Sequence, residues 1–124
     1  MKVELRHHFT FESARFLPNL DDEHPCKKIH GHSFNMTLVI EGPLDKKIGW
    51  LIDYNVLNQK TRKILDQIDH RLLNEIHGLE NPTTELLCIW LYENLVKVIP
   101  QTKQIILCET HQTECRYPIT TSPS

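Results

Sequence analysis

His30-Gly31-His32 sets two imidazoles two residues apart, immediately before a stretch of alternating apolar residues. In an extended chain, residues at that spacing point to the same face. Both rings can then converge on one ion, while Gly31 leaves the opposite side bare. His24 and Cys26 lie just upstream and complete the pattern His-x-Cys-x3-His-x-His. Imidazole and thiolate are the groups zinc prefers. The same spacing also fits a solvated histidine pair at the start of a strand. Cys26 by itself fits a nucleophile, a ligand in a closed His/Cys site or an inert thiol.

Two further groups could move or hold protons. Asp69-His70 puts a carboxylate beside an imidazole, and a histidine oriented by a carboxylate shuttles protons near neutral pH. The competing reading is a solvated helix end with His70 near the helix C-terminus. Glu109 closes the apolar run Ile105-Ile106-Leu107-Cys108. A carboxylate there is either solvent-facing or paired. Its functional use would be bidentate capture of a planar N–H array.

The elements that must position these groups are legible in outline. Residues 3–11 alternate as a strand, and 12–31 read as a long irregular stretch holding most of the histidines of interest. Phe34, Met36, Leu38 and Ile40 alternate with more polar neighbours as a second strand, ended by Gly42-Pro43. Asp53 can cap a helix from about Tyr54 to Ile68, with Leu57, Ile64, Leu65 and Ile68 as its stripe. Asn81-Pro82-Thr83-Thr84-Glu85 announces a second helix, with Asn81 as cap and Pro82 at its first position. Its stripe is Leu86, Leu87, Trp90, Leu91, Leu95 and Val98, and Pro100 ends it. Strands over 103–110 and 113–119 follow. The expected fold is α+β, in the order ββααββ, with both helices on one face of a four-stranded antiparallel sheet.

The chain has 124 residues, enough for a single domain, expected at 1–119 with 120–124 as a frayed tail. Its net charge of −2 supplies no positive field for nucleic acid or an anionic membrane. No apolar run approaches the roughly 20 residues of a membrane span. The start shows no apolar stretch of the signal-peptide kind, so a cytoplasmic location is expected. There the four cysteines are thiols, and Cys88, Cys108 and Cys115 read as packing residues.

Taken in order, these stretches resemble the 6-pyruvoyltetrahydropterin synthase family. The resemblance is carried by Phe9–Ala14, His24–Phe34, Gly49–Tyr54, Asp69–Asn74, Gly78–Glu85 and Glu109-Thr110. It covers residues 3 to 117 and looks most like the bacterial 6-carboxy-5,6,7,8-tetrahydropterin synthase branch of queuosine biosynthesis. It implies the tunnelling fold and homohexamers of two stacked trimers with active sites between subunits. It also implies a Zn2+-dependent lyase acting on 7,8-dihydroneopterin triphosphate, giving 6-carboxytetrahydropterin, acetaldehyde and triphosphate. On this resemblance Cys26 matches the catalytic thiol, and Asp69 and His70 match acid–base partners reaching it across a subunit boundary. Glu109 matches the pterin anchor, Thr83 and Thr84 match positions near the pterin, and His30 and His32 match two zinc ligands.

One departure matters. The family's third zinc ligand is a histidine, and Arg15 stands in its place in Phe11-Glu12-Ser13-Ala14-Arg15. Arginine stays protonated and offers no lone pair. The expectation is that His24 completes the shell, with Cys26 second and His7 or His8 behind them. The alternatives are a weakly held or absent metal, an Arg15 that supplies positive charge itself, or an Arg15 at the surface of a shifted loop. Rival functions are 6-pyruvoyltetrahydropterin synthesis from the same substrate and a non-catalytic pterin-binding homologue.

Overall fold

The computed structural model describes residues 1–119, so the expected tail at 120–124 lies outside the described residues. Seven elements are used below. They are strands β1 (Lys2–Arg15) and β2 (His30–Pro43), helix α1 (Tyr54–Leu65), strand β3 (Arg71–Leu72), helix α2 (Thr84–Val98), and strands β4 (Thr102–Cys108) and β5 (Cys115–Tyr117). Single 3-10 turns form at Pro25–Lys27 and Leu73–Glu75.

The α+β class holds, but the sheet is not the four-stranded antiparallel one expected. It has five strands in the order β3-β1-β2-β4-β5. The added strand, β3, runs parallel to β1, pairing Ser13 with Arg71 and Ala14 with Leu72. Two residues carry no periodicity, so no hydrophobic pattern could announce it. The backbone of β1 and β2 is longer than the apolar alternation. β1 runs to Arg15 and β2 begins at His30, so the irregular stretch shrinks to 16–29.

That extension explains the site. Phe9, Phe11, Ser13 and Arg15 alternate inward along β1, and His30, His32, Phe34 and Met36 share one face of β2. The antiparallel register sets Phe11 opposite Phe34, Ser13 opposite His32 and Arg15 opposite His30. The inner face is therefore a hydrophobic core over most of its length, then turns polar at one end. Phe9, Phe11, Phe34, Met36, Leu38 and Ile40 pack there against Leu57, Leu65 and Ile68 on the α1 side and Leu87, Leu91 and Leu95 of α2.

Helix α1 starts at the expected cap, with Asp53 accepting from the Asn55 amide at 2.8 Å, but ends at Leu65 rather than Ile68. Helix α2 is capped by Thr83, not Asn81; its hydroxyl accepts from the Leu86 amide at 3.1 Å. Leu86 and Val98 of its expected stripe are exposed, while Leu87, Cys88, Leu91 and Leu95 are buried. No helix of the described residues is long and apolar enough to cross a membrane.

Candidate active site

The polar end of the inner face collects Arg15, His30 and His32, and the residue following β4, Glu109, joins them. Arg15 is only 4% exposed. Its Nη1 donates to the Pro82 carbonyl and to Thr84 Oγ1, both at 3.1 Å. Its Nη2 is ion-paired with Glu109 Oε2. The guanidinium also lies over the Phe34 ring, 5.4 Å from its centroid. Its Nε is buried without a hydrogen-bond partner among the described residues.

His32 Nε2 stands 3.5 Å from the same Glu109 oxygen. Burial, followed by the Arg15 charge, pushes the His32 imidazole below the ordinary histidine range, against the opposing pull of Glu109. The His30 and His32 rings meet edge to face with centroids 4.7 Å apart. His30 Nδ1 donates to the Lys28 carbonyl at 2.8 Å, which in the neutral ring leaves the lone pair on Nε2.

Asp69 and His70 do meet. Asp69 Oδ1 lies 2.9 Å from His70 Nδ1 and also accepts from the Glu12 amide at 2.9 Å. His70 adopts φ +58°, the only positive φ at a non-glycine position among the described residues. That turn brings the ring back to its own neighbour's carboxylate and leads the chain into β3. Histidine is among the non-glycine residues that enter this left-handed region more readily than most. The dyad opens on a cleft of about 420 Å³ that is also walled by Ser13, Gly31 and His32. A second cleft of about 360 Å³ lies beyond Glu109, lined by Thr84, Glu85, Thr113 and Cys115 among others.

The other sequence candidates are placed differently. Thr83 is spent as the α2 cap, and Thr84 is tied to Arg15. Cys26 is partly exposed in the Pro25–Lys27 turn, outside the walls of the His32–His70 cleft. His24 is exposed, and its Nδ1 accepts from the Cys26 amide at 3.1 Å. His7 packs against Phe9 with the rings tilted by 58°, eight residues up β1 from Arg15 and so roughly 26 Å away at about 3.3 Å per residue.

Zinc, which the resemblance implies, does not fit the ligand set present. His30 and His32 could offer two imidazoles. Among the described residues, however, no three His, Cys, Asp or Glu side chains stand together in a metal-holding arrangement. His24 is not drawn up to the pair, and the group beside it is a permanent cation.

The sequence profile of the 6-pyruvoyl tetrahydropterin synthase family matches residues 4–119. The chain belongs to that family. It is 31% identical over 100 residues to the dihydroneopterin monophosphate aldolase of Pyrococcus furiosus, covering 81% of each chain. It is 30% identical over 115 residues to the 6-carboxy-5,6,7,8-tetrahydropterin synthase of Synechocystis, covering 88% of each. Its fold superposes on the Caenorhabditis elegans 6-pyruvoyl tetrahydropterin synthase with a TM-score of 0.88, at 22% identity and 97% coverage of both chains.

This 6-pyruvoyl tetrahydropterin synthase family member also uses residues that sequence reading missed. Glu12 holds Asp69 through its backbone amide. Asn74 clamps the backbone of Phe16 from both sides, accepting from its amide at 3.0 Å and donating to its carbonyl at 2.8 Å. That clamp fixes the chain just after Arg15. Asn74 lies inside the Asp69–Asn74 stretch, and its position there was the available signal. The Arg15–Glu109 pair had no local signal, because the apolar alternation ends before Arg15 and its partner lies far along the chain.

Proposed function

We propose that this chain is a pterin-side-chain lyase, converting 7,8-dihydroneopterin triphosphate and water to 6-carboxy-5,6,7,8-tetrahydropterin, acetaldehyde and triphosphate in queuosine biosynthesis. The observation that carries the reading is the Asp69–His70 dyad, opening on the cleft that His32 also walls, with Glu109 at the same end of the sheet. Asp69 holds His70 Nδ1, so Nε2 is the atom left to take and return a proton on the substrate side chain. Glu109 gives one oxygen to Arg15, and its second oxygen remains to accept N–H groups from the pterin edge. Thr84, which shares Arg15, sets the wall beside that anchor.

In this reading Cys26 comes from a neighbouring copy of the chain in a homohexamer, since it is not among the residues that wall the cleft of its own subunit. The long outer edge of β1 supports assembly: β3 pairs with only Ser13 and Ala14 of its fourteen residues. An unpaired edge of that length is a surface that strands of another copy can cover.

Incubation with 7,8-dihydroneopterin triphosphate and analysis of the released aldehyde test the proposal. Acetaldehyde with 6-carboxytetrahydropterin supports it. A retained three-carbon side chain would make the chain a pyruvoyl-type synthase. A 6-hydroxymethyl-7,8-dihydropterin with a two-carbon aldehyde still carrying the triphosphate would make it an aldolase, the activity named for its Pyrococcus furiosus relative. No turnover would leave a pterin-binding homologue.

A further inference from the structure

Arg15 is not a surface residue in a shifted loop. It is the inward partner of His30 in the β1–β2 ladder, and it is buried. It therefore occupies the place beside the two imidazoles from which a third ligand would reach an ion. A guanidinium has no lone pair to give and does not lose its proton in a protein. Its charge is held in place from three sides, by the Pro82 carbonyl, Thr84 and Glu109. A divalent ion at His30 and His32 would face that fixed positive charge at close range, in surroundings drier than water. Glu109, the carboxylate nearest His32, is already committed to Arg15.

We infer that in this chain the Arg15–Glu109 ion pair replaces the third metal bond, so that His30 and His32 do not form a high-affinity zinc site. The pair does the structural part of a metal's work, tying the end of β1 to the end of β4 and to the start of α2. Two histidines rarely hold a catalytic zinc without a third protein ligand. This inference does not depend on which pterin reaction the chain performs.

Cobalt(II) titration of the full chain, in whatever assembly it forms, tests it through the visible absorption of tetrahedral cobalt, with zinc content measured in parallel. Wild type is expected to show no saturable site at one metal per chain. Arg15→His, which restores a third imidazole, is expected to bind one cobalt per chain at least about 100-fold more tightly than wild type, an effect at or above that of losing an outer-shell partner. Adding His32→Ala to Arg15→His should abolish it. If wild type itself takes up one cobalt per chain, and His32→Ala removes it, the inference falls. It falls equally if Arg15→His melts like wild type yet gains no metal. Should Arg15→His not fold, Glu109→Gln tests the same point from the other partner: wild type and variant alike without a saturable site support the inference, and one cobalt per chain in wild type that His32→Ala removes overturns it.

Discussion

Arg15 and Glu109 are ion-paired at the N-terminal turn of α2, where Arg15 also takes the Pro82 carbonyl and the Thr84 hydroxyl. A helix N-terminus is a poor place for a cation, because the backbone dipole presents its positive end there. Glu109 offsets that field and the burial of the guanidinium at once. The partnership binds three parts of the chain that the core alone would leave apart at this end.

Glu109→Gln is therefore expected to destabilise the fold. Breaking a fully buried ion pair costs roughly 3–5 kcal/mol. Glu109 is one-quarter exposed, so a loss of about 2–3 kcal/mol is expected here. Urea unfolding of the variant against wild type measures it, and a loss under about 0.5 kcal/mol would show that the pair is not structural.

Asp69→Asn should leave the fold intact, since an amide oxygen can still accept from the Glu12 amide. It removes the charge that holds His70 Nδ1. A drop in kcat of about 10²- to 10⁴-fold with little change in KM is expected with 7,8-dihydroneopterin triphosphate. A change in KM alone would assign Asp69 to binding instead.

His70→Asn should separate stability from activity. Asparagine tolerates the left-handed backbone that His70 adopts at φ +58°. The variant is expected to be unchanged or more stable by up to about 1 kcal/mol, while turnover is lost. Thermal melts and the lyase assay together check it; a clear loss of stability would place the importance of His70 in its contacts rather than in its chemistry.

The thiols should divide by burial. Burial, with the neighbouring Cys115 adding to it, pushes the Cys88 thiol far up, and burial also raises Cys108. A raised thiol pKa means less thiolate at any given pH, and the thiolate is the reactive form. Native protein treated with an aromatic disulfide at pH 8 should spare Cys88 until the chain unfolds, and Cys26 should react before Cys108. Rapid modification of Cys88 would contradict the packing of α2 on β4.

These expectations also mark what the sequence made legible. The alternation of Phe34, Met36, Leu38 and Ile40 identified β2 because each inward residue is apolar and packs on the core. The same alternation runs on through Ser13 and Arg15 in β1, but polar residues at inward positions read as the end of a strand. Only their partners, the Ile68 carbonyl for Ser13 and Glu109 for Arg15, make those positions affordable, and those partners are more than fifty residues away. Asp69 and His70 showed adjacency alone; the contact between them depends on a backbone turn that composition does not encode. At α2, Asn81, Thr83 and Thr84 all offer capping side chains, and the geometry selects Thr83. Cys26 was legible as a reactive residue type, and in this structure it sits outside the walls of the cleft that His70 lines.

The claim that Glu109 anchors a pterin at this end of the sheet is tested most directly by equilibrium titration with an unreactive pterin, followed by its fluorescence. Wild type is expected to bind one pterin per chain, Glu109→Ala to bind about 100-fold more weakly, and His70→Ala to bind as wild type does. Equal binding by wild type and Glu109→Ala would contradict the account, since the pterin would then be held somewhere other than beside Arg15 and Thr84.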